Sequence, residues 1–518
     1  MNKKIYMAAL ALAVALPMAA QETYENAKIA STDLNGTARY VGMGGAMEAL
    51  GADISTMSTN PAGIGLFRKS WFGGSFGIVT QEGASSFAGN GKTKVSFDQL
   101  GFVYSASEGN ASYVNVGINY HKSRNFNYIL SAANMLDNAS QNKLTYAKAK
   151  NELLYYTKGG KMNMDDPQSD CNQLDDIYAN NMNYDIVKDT WYAFPMDNYT
   201  LNRGHKGYIS DFDFNLSGSI NNRVYLGLTV GFHDVTYRHY GEYTEYKNGQ
   251  RGVFVTDDRH IDGDGVDVKA GIIFRPIENS ALRFGLSVNT PTWYKLKSKN
   301  NTDVIIEDTE RKAAYNDDEY EFKLFTPWKF GISAGHTIGN MLAIGLSYEF
   351  TDYSTLDTRY ITESRYDYWR DTYSDESESD TEMNRHTERT LKGVSTLKAG
   401  LELKPVPEMA VRLGYNYVSP MYEKEGFKDG TIASMGSYIS SATDFTNWEE
   451  THRITCGLGY SFDKFNLSVA YQYNVSNGQF WPFMNYQDKY TPADDNIADP
   501  VKVTNKRHQV MMTLGYTF

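Results

Sequence analysis

The chain lacks any run of 18 or more apolar residues after its first few positions. Among its 518 residues are only 2 cysteines, and the formal net charge is −12. A mean hydropathy of −0.50 argues against a helical membrane protein, because each span needs about 20 apolar residues. Cys171 and Cys456 are too few for a disulfide framework. An acidic chain gives no support for nucleic-acid binding, which calls for a basic face.

Residues 1–20 have the pattern of a secretory signal peptide. Lys3 and Lys4 precede an apolar run over residues 5–16, and Ala19-Ala20 form a small-residue cleavage site. The run is too short to span a bilayer comfortably, and no Cys follows the cut as in a lipoprotein. We therefore expect an exported mature chain that begins near Gln21.

Period-2 alternation then dominates the sequence. In RVYLGLTVGFHDVTY (223–237), Leu226, Leu228 and Phe232 share one face, and Gly227 and Thr229 lie on the other. The pattern recurs over residues 341–350 and 465–473 and in the final QVMMTLGYTF. The second face holds Gly, Ser, Thr, Asn and Ala rather than Lys and Glu. Such a face suits a crowded or partly watered barrel lumen, with the apolar face toward lipid.

The spacing of these segments predicts about 14 strands. Short connections, such as Asn221-Asn222 and Gly339-Asn340, alternate with long ones, such as residues 129–206, 242–264 and 354–391. This is the layout of periplasmic turns and outer loops in bacterial barrels. The predicted strands begin near Trp71, Lys94, Ser112, Gly207, Arg223, Gly265, Ala281, Leu324, Met341, Val394, Met409, Thr451, Phe465 and Arg507.

The expected fold is all-β: a transmembrane antiparallel β-barrel of about 14 strands over residues 71–518, in the bacterial outer membrane. The chain ends in Phe518 on an alternating strand, which resembles the terminal signal that the barrel assembly machinery binds. We expect that machinery as a partner during biogenesis, contact with outer-membrane lipid, and a monomer.

Residues 21–70 precede the first predicted strand and are rich in Gly, Ala and Met. Gly42, Gly44 and Gly45 suit close packing, and residues 43–51 could form a short helix before a loop broken at Pro61. A periplasmic tail is usually more polar, so a small hatch that plugs the barrel is favoured over a tail.

This segment resembles the FadL/TodX transporters of long-chain fatty acids and other hydrophobic compounds. The resemblance lies in ARYVGMGGAMEALGADISTMSTNPAGI (38–64) and continues in residues 324–354, 397–420 and 451–473. It implies an N-terminal hatch in a 14-stranded barrel, capture of a hydrophobic small molecule at the outer loops, and lateral release through a gap at a kinked third strand. It also implies that Asn60, Pro61, Ala62 and Gly63 lie along the substrate path. The third strand would be residues 112–127, where alternation weakens after Tyr120.

Chemical motifs are few. Gly73–Gly77 matches G-x-S-x-G only formally, because Ser75 lies inside the first predicted strand rather than at a strand-turn-helix elbow. Asp262, Asp264 and Asp267 lack EF-hand spacing, and a solvated loop end is favoured over a surface cation bridge. The nine His residues are scattered. We expect no catalytic residue, metal or cofactor, and no enzyme activity.

Three other functions remain open at this point. A porin for polar solutes would have an open lumen. A haem or siderophore receptor would usually be longer, with about 22 strands. A structural or adhesive barrel would bind a surface partner through its long loops.

Overall fold

Fourteen antiparallel strands close into one barrel in a computed structural model of the chain. The model describes residues 22–109, 111–151, 154, 172–185, 187–307, 311–367, 372–432, 435–488 and 491–518. The predicted signal peptide and Cys171 lie outside these residues. Each wall strand pairs with the next one around the barrel, and the last pairs with the first to close it. The predicted fold class and strand number are confirmed.

The strands are β1 (Trp71–Gln81), β2 (Thr93–Ser107), β3 (Tyr113–Asn125), β4 (Tyr128–Ala139), β5 (Tyr184–Asp185), β6 (Thr190–Trp191), β7 (Met196–Ile220), β8 (Val224–Lys247), β9 (Gln250–Phe274), β10 (Arg283–Asn289), β11 (Trp293–Glu307), β12 (Arg311–Phe325), β13 (Lys329–Ile338), β14 (Leu342–Asp352), β15 (Asp357–Asp367), β16 (Thr372–Ser379), β17 (Gly393–Val406), β18 (Met409–Val418), β19 (Phe445–Phe462), β20 (Phe465–Trp481) and β21 (Val501–Thr517). Around the barrel the order is β1-β2-β3-β7-β8-β9-β10-β13-β14-β17-β18-β19-β20-β21, and β21 pairs with β1. The helices are α1 (Thr23–Ala30), α2 (Ala38–Gly42), α3 (Gln141–Lys150), α4 (Gln173–Tyr178), α5 (Thr381–Thr390) and α6 (Met435–Tyr438). Shorter 3-10 turns cover Ile54–Ser58, Pro61–Leu66, Tyr353–Thr355 and Pro492–Asp494, and a π turn covers Ala179–Asn183. None of the helices in the described part of the chain has the length and hydrophobicity of a membrane-spanning segment.

Large apolar side chains face outward around the barrel wall. A closed barrel pairs its strand edges and presents this belt to lipid, which is the arrangement a bilayer requires. The protein is therefore an outer-membrane β-barrel, as the alternation predicts. Exposed members of the belt include Phe72, Phe102, Ile118, Phe214, Leu228, Leu286, Ile332, Leu346, Leu401, Leu413, Leu458, Leu467 and Leu514.

Beyond the belt, several strands continue into an outer cap. β4 pairs with the outer half of β7, and β11 pairs with β9 above the wall. β12, β15 and β16 extend this sheet further. α3 and α4 pack beneath it in a core that includes Leu144, Leu174 and Tyr178.

The prediction of a long loop over residues 242–264 is wrong. β8 runs to Lys247 and β9 starts at Gln250, so only Asn248 and Gly249 join them. Both have positive φ, 51° and 75°, as the type I′ turn of a tight hairpin requires.

Two further predictions about neighbouring residues are also corrected. Asp262 and Asp264 lie within β9 rather than at a loop end, and Asp267 is buried. Leu324 belongs to the inserted hairpin β11–β12, and the barrel strand assigned to it begins instead at Lys329. The hairpin β11–β12 alternates apolar and polar residues with the same period of two as a wall strand, so the sequence pattern alone does not distinguish them.

The prediction of a helix over residues 43–51 is also wrong. The helix is α2 (Ala38–Gly42), and turns follow it. Gly44, Gly45 and Gly51 have φ of +63°, +82° and +60°, so the backbone enters the left-handed region and cannot continue a helix.

Candidate functional site

Residues 22–70, here called the N-terminal segment, run through the inside of the barrel. α1 lies near the outer end, where Glu22 pairs with Arg259 at 3.0 Å and both are fully buried. α2 packs against β18 to β21, and the turn Pro61–Leu66 packs against β7, β8 and β9. Most of its side chains are buried, so the segment occupies much of the lumen.

Inward-facing glycines line the wall where this segment comes close. A Cβ on Gly227 would lie 2.5 Å from Pro61 O. Cβ atoms on Gly345 and Gly400 would overlap the carbonyl oxygens of Ala46 and Met43. The glycine-rich inner face seen in the sequence thus makes room for backbone rather than for water.

The predicted substrate-path residues Asn60, Pro61, Ala62 and Gly63 are all buried against the wall. Asn60 Oδ1 accepts a hydrogen bond from Ala62 N at 3.1 Å and caps the turn that Pro61 begins. Ser217 Oγ donates to Pro61 O at 2.9 Å. None of the four lines the cavities described below.

Gly42, Gly44 and Gly45 were predicted as packing residues, and each lies where other atoms leave little or no room for a Cβ. A Cβ on Gly42 would be 3.3 Å from Gly457 Cα, and one on Gly44 would be 2.7 Å from Tyr415 N. One on Gly45 would meet Leu34 Cδ1 at 2.9 Å.

Phe518, the predicted assembly signal, is 57% exposed at the end of β21. Its backbone N donates to Ser70 O at 3.0 Å, and its ring meets Phe102 edge-on at 6.4 Å. The terminal aromatic therefore lies on the outside of the wall at the seam between β21 and β1.

A chamber of about 320 Å³ lies at mid-barrel beside the N-terminal segment. Asp33 is its central acid and pairs with Arg124 at 3.1 Å and Arg507 at 3.3 Å. Arg453 approaches the same carboxylate at 3.8 Å. Three guanidinium groups around one carboxylate leave this side of the chamber positive.

The chamber is polar on another side as well. Asp211 accepts from His233 Nδ1 at 2.8 Å, and Lys269 donates to Asp267 at 2.7 Å and to Asp213 at 3.1 Å. Apolar side chains, among them Ile29, Leu34 and Val394, complete the lining. The chamber thus suits a molecule with both an apolar body and a polar group.

Above the chamber, a smaller cavity of about 120 Å³ is lined by aromatic rings. Tyr24 stacks on Tyr422 with centroids 5.0 Å apart, and Tyr128 meets Trp448 edge-on at 5.6 Å. Tyr422 and Trp448 also line the chamber, so the two spaces adjoin.

The pairing of β2 with β3 stops partway up the wall. The ladder ends at Gln99–His121, although β2 continues to Thr93 and β3 to Asn125. Asp98 is a bulge residue opposite β1, and β3 changes register between Lys122 and Arg124. A cavity of about 330 Å³ occupies the resulting gap, here called the wall opening.

The N-terminal segment closes the inner side of the wall opening. Asn35 Nδ2 donates to Asp98 Oδ1 at 3.1 Å and to Lys122 O at 3.0 Å, and so bridges β2 and β3. Asp33 N donates to Ser123 O at 2.8 Å. These bonds satisfy strand carbonyls that the missing ladder leaves free, which is essential at membrane depth.

A narrow space of about 20 Å³ joins the chamber to this opening. It is lined by Asp33, Asn35, Asp98 and Lys122, and it holds little more than one water molecule. A larger solute therefore needs residues 33–35 to move.

Sequence reasoning did not single out Asp33 or Asn35. The available signal was the loss of alternation after Tyr120, because a strand that bulges there needs other partners for its backbone. Reaching Asp33 and Asn35 from that signal requires the three-dimensional path of the segment.

The remaining motifs have structural environments. Ser75 is fully buried and bonds with Gln99 and Thr513. His233 is ion-paired with Asp211. Among the described residues, no group of three His, Cys, Asp or Glu side chains is arranged to hold a metal.

No known family model matches the chain, and no curated protein sequence does. Among solved structures, the chain is similar to a Pseudomonas aeruginosa FadL homologue, with 12% identity and a TM-score of 0.49. It is also similar to the CymD monoaromatic hydrocarbon channel (11%, TM-score 0.48) and to the Ralstonia pickettii toluene transporter TbuX (11%, TM-score 0.47). In each case 94% of this chain and 99% of the other chain are covered.

Proposed function

We propose that the protein is a passive outer-membrane channel for small hydrophobic molecules such as fatty acids. The observation that carries this proposal is the series of adjoining cavities from the aromatic space, through the chamber, to a wall opening that the N-terminal segment holds closed. The resemblance of residues 38–64 to the hatch of the FadL/TodX transporters also supports it.

Lateral release has a thermodynamic reason. An apolar solute that leaves into the aqueous periplasm loses roughly 0.8 kcal/mol for each CH₂ group. Exit through the side of the barrel into lipid avoids that cost. The wall opening between β2 and β3 is the place for such an exit.

The N-terminal segment acts as the hatch in this proposal. A solute in the chamber competes for the space next to Asp33, and displacement of Asn35 breaks the bridge between Asp98 and Lys122. Asn60, Pro61 and Ala62 anchor the far end of the hatch, so that the movement stays local. No covalent chemistry is required.

Uptake measurements test the transport proposal. Cells with and without the protein are given a panel of labelled compounds, from short alkyl benzenes to long-chain fatty acids. We expect protein-dependent uptake of at least one apolar class. Absence of uptake for every compound, with correctly inserted protein, would overturn the proposal.

A double variant tests the proposed hatch anchor. Asn60→Ala with Pro61→Ala removes the Asn60 side chain that caps the turn and the proline ring that fixes the backbone there. We expect several-fold lower uptake with normal barrel assembly. The matched control, Asn340→Ala with Pro407→Ala, changes the same residue types in exposed turns and should leave uptake unchanged. Normal uptake by the hatch variant would remove any special role for Asn60 and Pro61.

The charged chamber favours a porin for polar solutes as a second candidate. A porin conducts ions steadily in planar bilayers, whereas a barrel filled by the segment does not. Steady conductance by the full-length protein, together with uptake of small sugars or amino acids, would support this alternative.

A further inference from the structure

The outer mouth of the wall opening is strongly cationic. Lys94, Lys122, Lys206 and Arg238 line the same cavity of about 330 Å³, and each comes from a different strand, β2, β3, β7 and β8. Among the residues that the structure describes, no acidic side chain lines this cavity. Val95 and Tyr208 provide its apolar surface.

None of these four cationic groups forms an ion pair within the described residues, and Asp98 of β2 acts on Lys122 only from beyond ion-pair distance. Within the part of the chain that the structure describes, their side chains make no hydrogen bond and no ion pair. Lys122 Nζ lies 4.5 Å over the ring of Tyr208, and the buried Nε of Arg238 has no partner. By contrast, inward-facing cations such as Lys269 and Arg203 form short ion pairs.

The strand pairing brings two of the cations together. Lys206 and Arg238 are directly opposite on β7 and β8, and like charges in that position destabilise a sheet. Asp258 and Asp262 lie diagonally across from Arg238 on β9. Asp258 lies within ion-pair distance of His260, and among the described residues neither carboxylate forms an ion pair with Arg238. An external anion would remove this repulsion.

The mouth also lies at the outer edge of the lipid-facing belt. Val95 is 81% exposed beside it. Tyr208, Phe212 and Phe214 follow one another down the outward face of β7 toward the short turns. A molecule held by its charged group at the mouth can therefore lay an apolar chain along the wall.

We propose that the mouth of the wall opening is a binding site for the phosphate group of a phosphorylated outer-leaflet glycolipid. Phosphate oxygens accept charge-assisted hydrogen bonds from several donors at once, and clustered Lys and Arg at a membrane surface bind anionic head groups. The lipid's acyl chains lie against Val95, Tyr208 and the belt below. Lys94, Lys206 and Arg238 line neither the chamber nor the narrow passage, and only Lys122 also lines them, so the site does not depend on the transport proposal.

Native mass spectrometry of the purified full-length protein in detergent tests this site. The probe is bis-phosphorylated lipid A, compared with the same lipid after enzymatic dephosphorylation and with inorganic pyrophosphate. We expect retention of lipid A at least tenfold above the dephosphorylated lipid, and a steep loss as salt increases. Equal retention of both lipids would overturn the proposal, and so would pyrophosphate binding as tightly as lipid A.

A charge-neutral variant localises the binding. Lys206→Gln with Arg238→Gln should lower lipid A retention about tenfold. Lys424→Gln with Lys502→Gln removes equal charge from exposed sites elsewhere and should retain lipid A normally. The single variant Lys206→Gln and a heat-modifiability assay separate lost binding from lost folding. Unchanged lipid A retention by a folded double variant would overturn the assignment. Compound uptake is measured separately, because the lipid site and the transport proposal can fail independently.

Discussion

At the scale of single residues, the inner face of the barrel is adapted to the backbone of the N-terminal segment. Glycine occupies wall positions such as 227, 345 and 400 because carbonyl groups of the segment take the space of a side chain. The sequence predicted a crowded inner face from these small residues. It could not predict which glycines meet which part of the segment, because those contacts join positions hundreds of residues apart.

Gly227→Ala tests this adaptation. The added Cβ meets the backbone at Pro61 and Ala62, which cannot rotate away, and overpacking of this kind costs about 1–3 kcal/mol. We expect faster hydrogen exchange at the amides of Ala62 and Gly63 in a barrel that still assembles. Gly91→Ala is the control, since its nearest non-neighbouring atom would be 3.7 Å away. Equal exchange in the two variants would show that the wall tolerates the added methyl group.

At the scale of elements, the wall strands were predictable and the cap was not. Alternation located most wall strands within a few residues, since a strand with one face in lipid and one in the lumen must alternate. β4 and β11 pair with outer extensions of wall strands, β12 pairs with β11, and none of the three crosses the membrane. The Asn248-Gly249 pair is a strong hairpin signal, and it identifies the error over residues 242–264.

The cap contains a pH-sensitive contact at Glu245, near the outer end of β8. Its Oε1 accepts from Gln141 N of α3 at 2.7 Å and from Tyr243 Oη at 2.8 Å. Glu245 is fully buried, and this burial raises its pKa to about 7. When α3 opens, the hydrated carboxyl returns to its ordinary pKa, so the open state loses its proton first as pH rises.

The stability of the closed cap should therefore be highest below pH 4.5 and should fall as pH rises through 7. The difference between the pKa of Glu245 in the closed cap and its ordinary pKa corresponds to about 3 kcal/mol of closed-cap stability between these limits. Hydrogen exchange at the α3 amides, corrected for intrinsic rates, should show less protection at pH 8 than at pH 5. Glu245→Gln keeps the shape without the charge and should remove this pH dependence. Persistence of the full dependence in that variant would assign it to another group.

At the scale of the whole molecule, the chain is a closed wall, an outer cap and an internal segment. The wall and its location follow from the sequence pattern, because a strand in lipid must pair its backbone polar groups with its neighbours and turn an apolar face outward. The internal path of the segment follows from no local rule. It depends on ion pairs such as Glu22–Arg259 and Lys398–Glu48, whose partners are distant in sequence.

Deletion of residues 22–66 tests whether the segment or the cap closes the lumen. Without the segment, the wall glycines face empty space and the freed charges of Lys398 and Arg259 attract water. We expect the full-length protein to be nearly silent in planar bilayers and the deletion variant to conduct ions steadily. Heat-modifiable migration and strand content by circular dichroism establish that the variant has folded. If the folded deletion variant stays silent, the cap closes the lumen, and the movement needed for transport must be sought in the cap around α3 and α4.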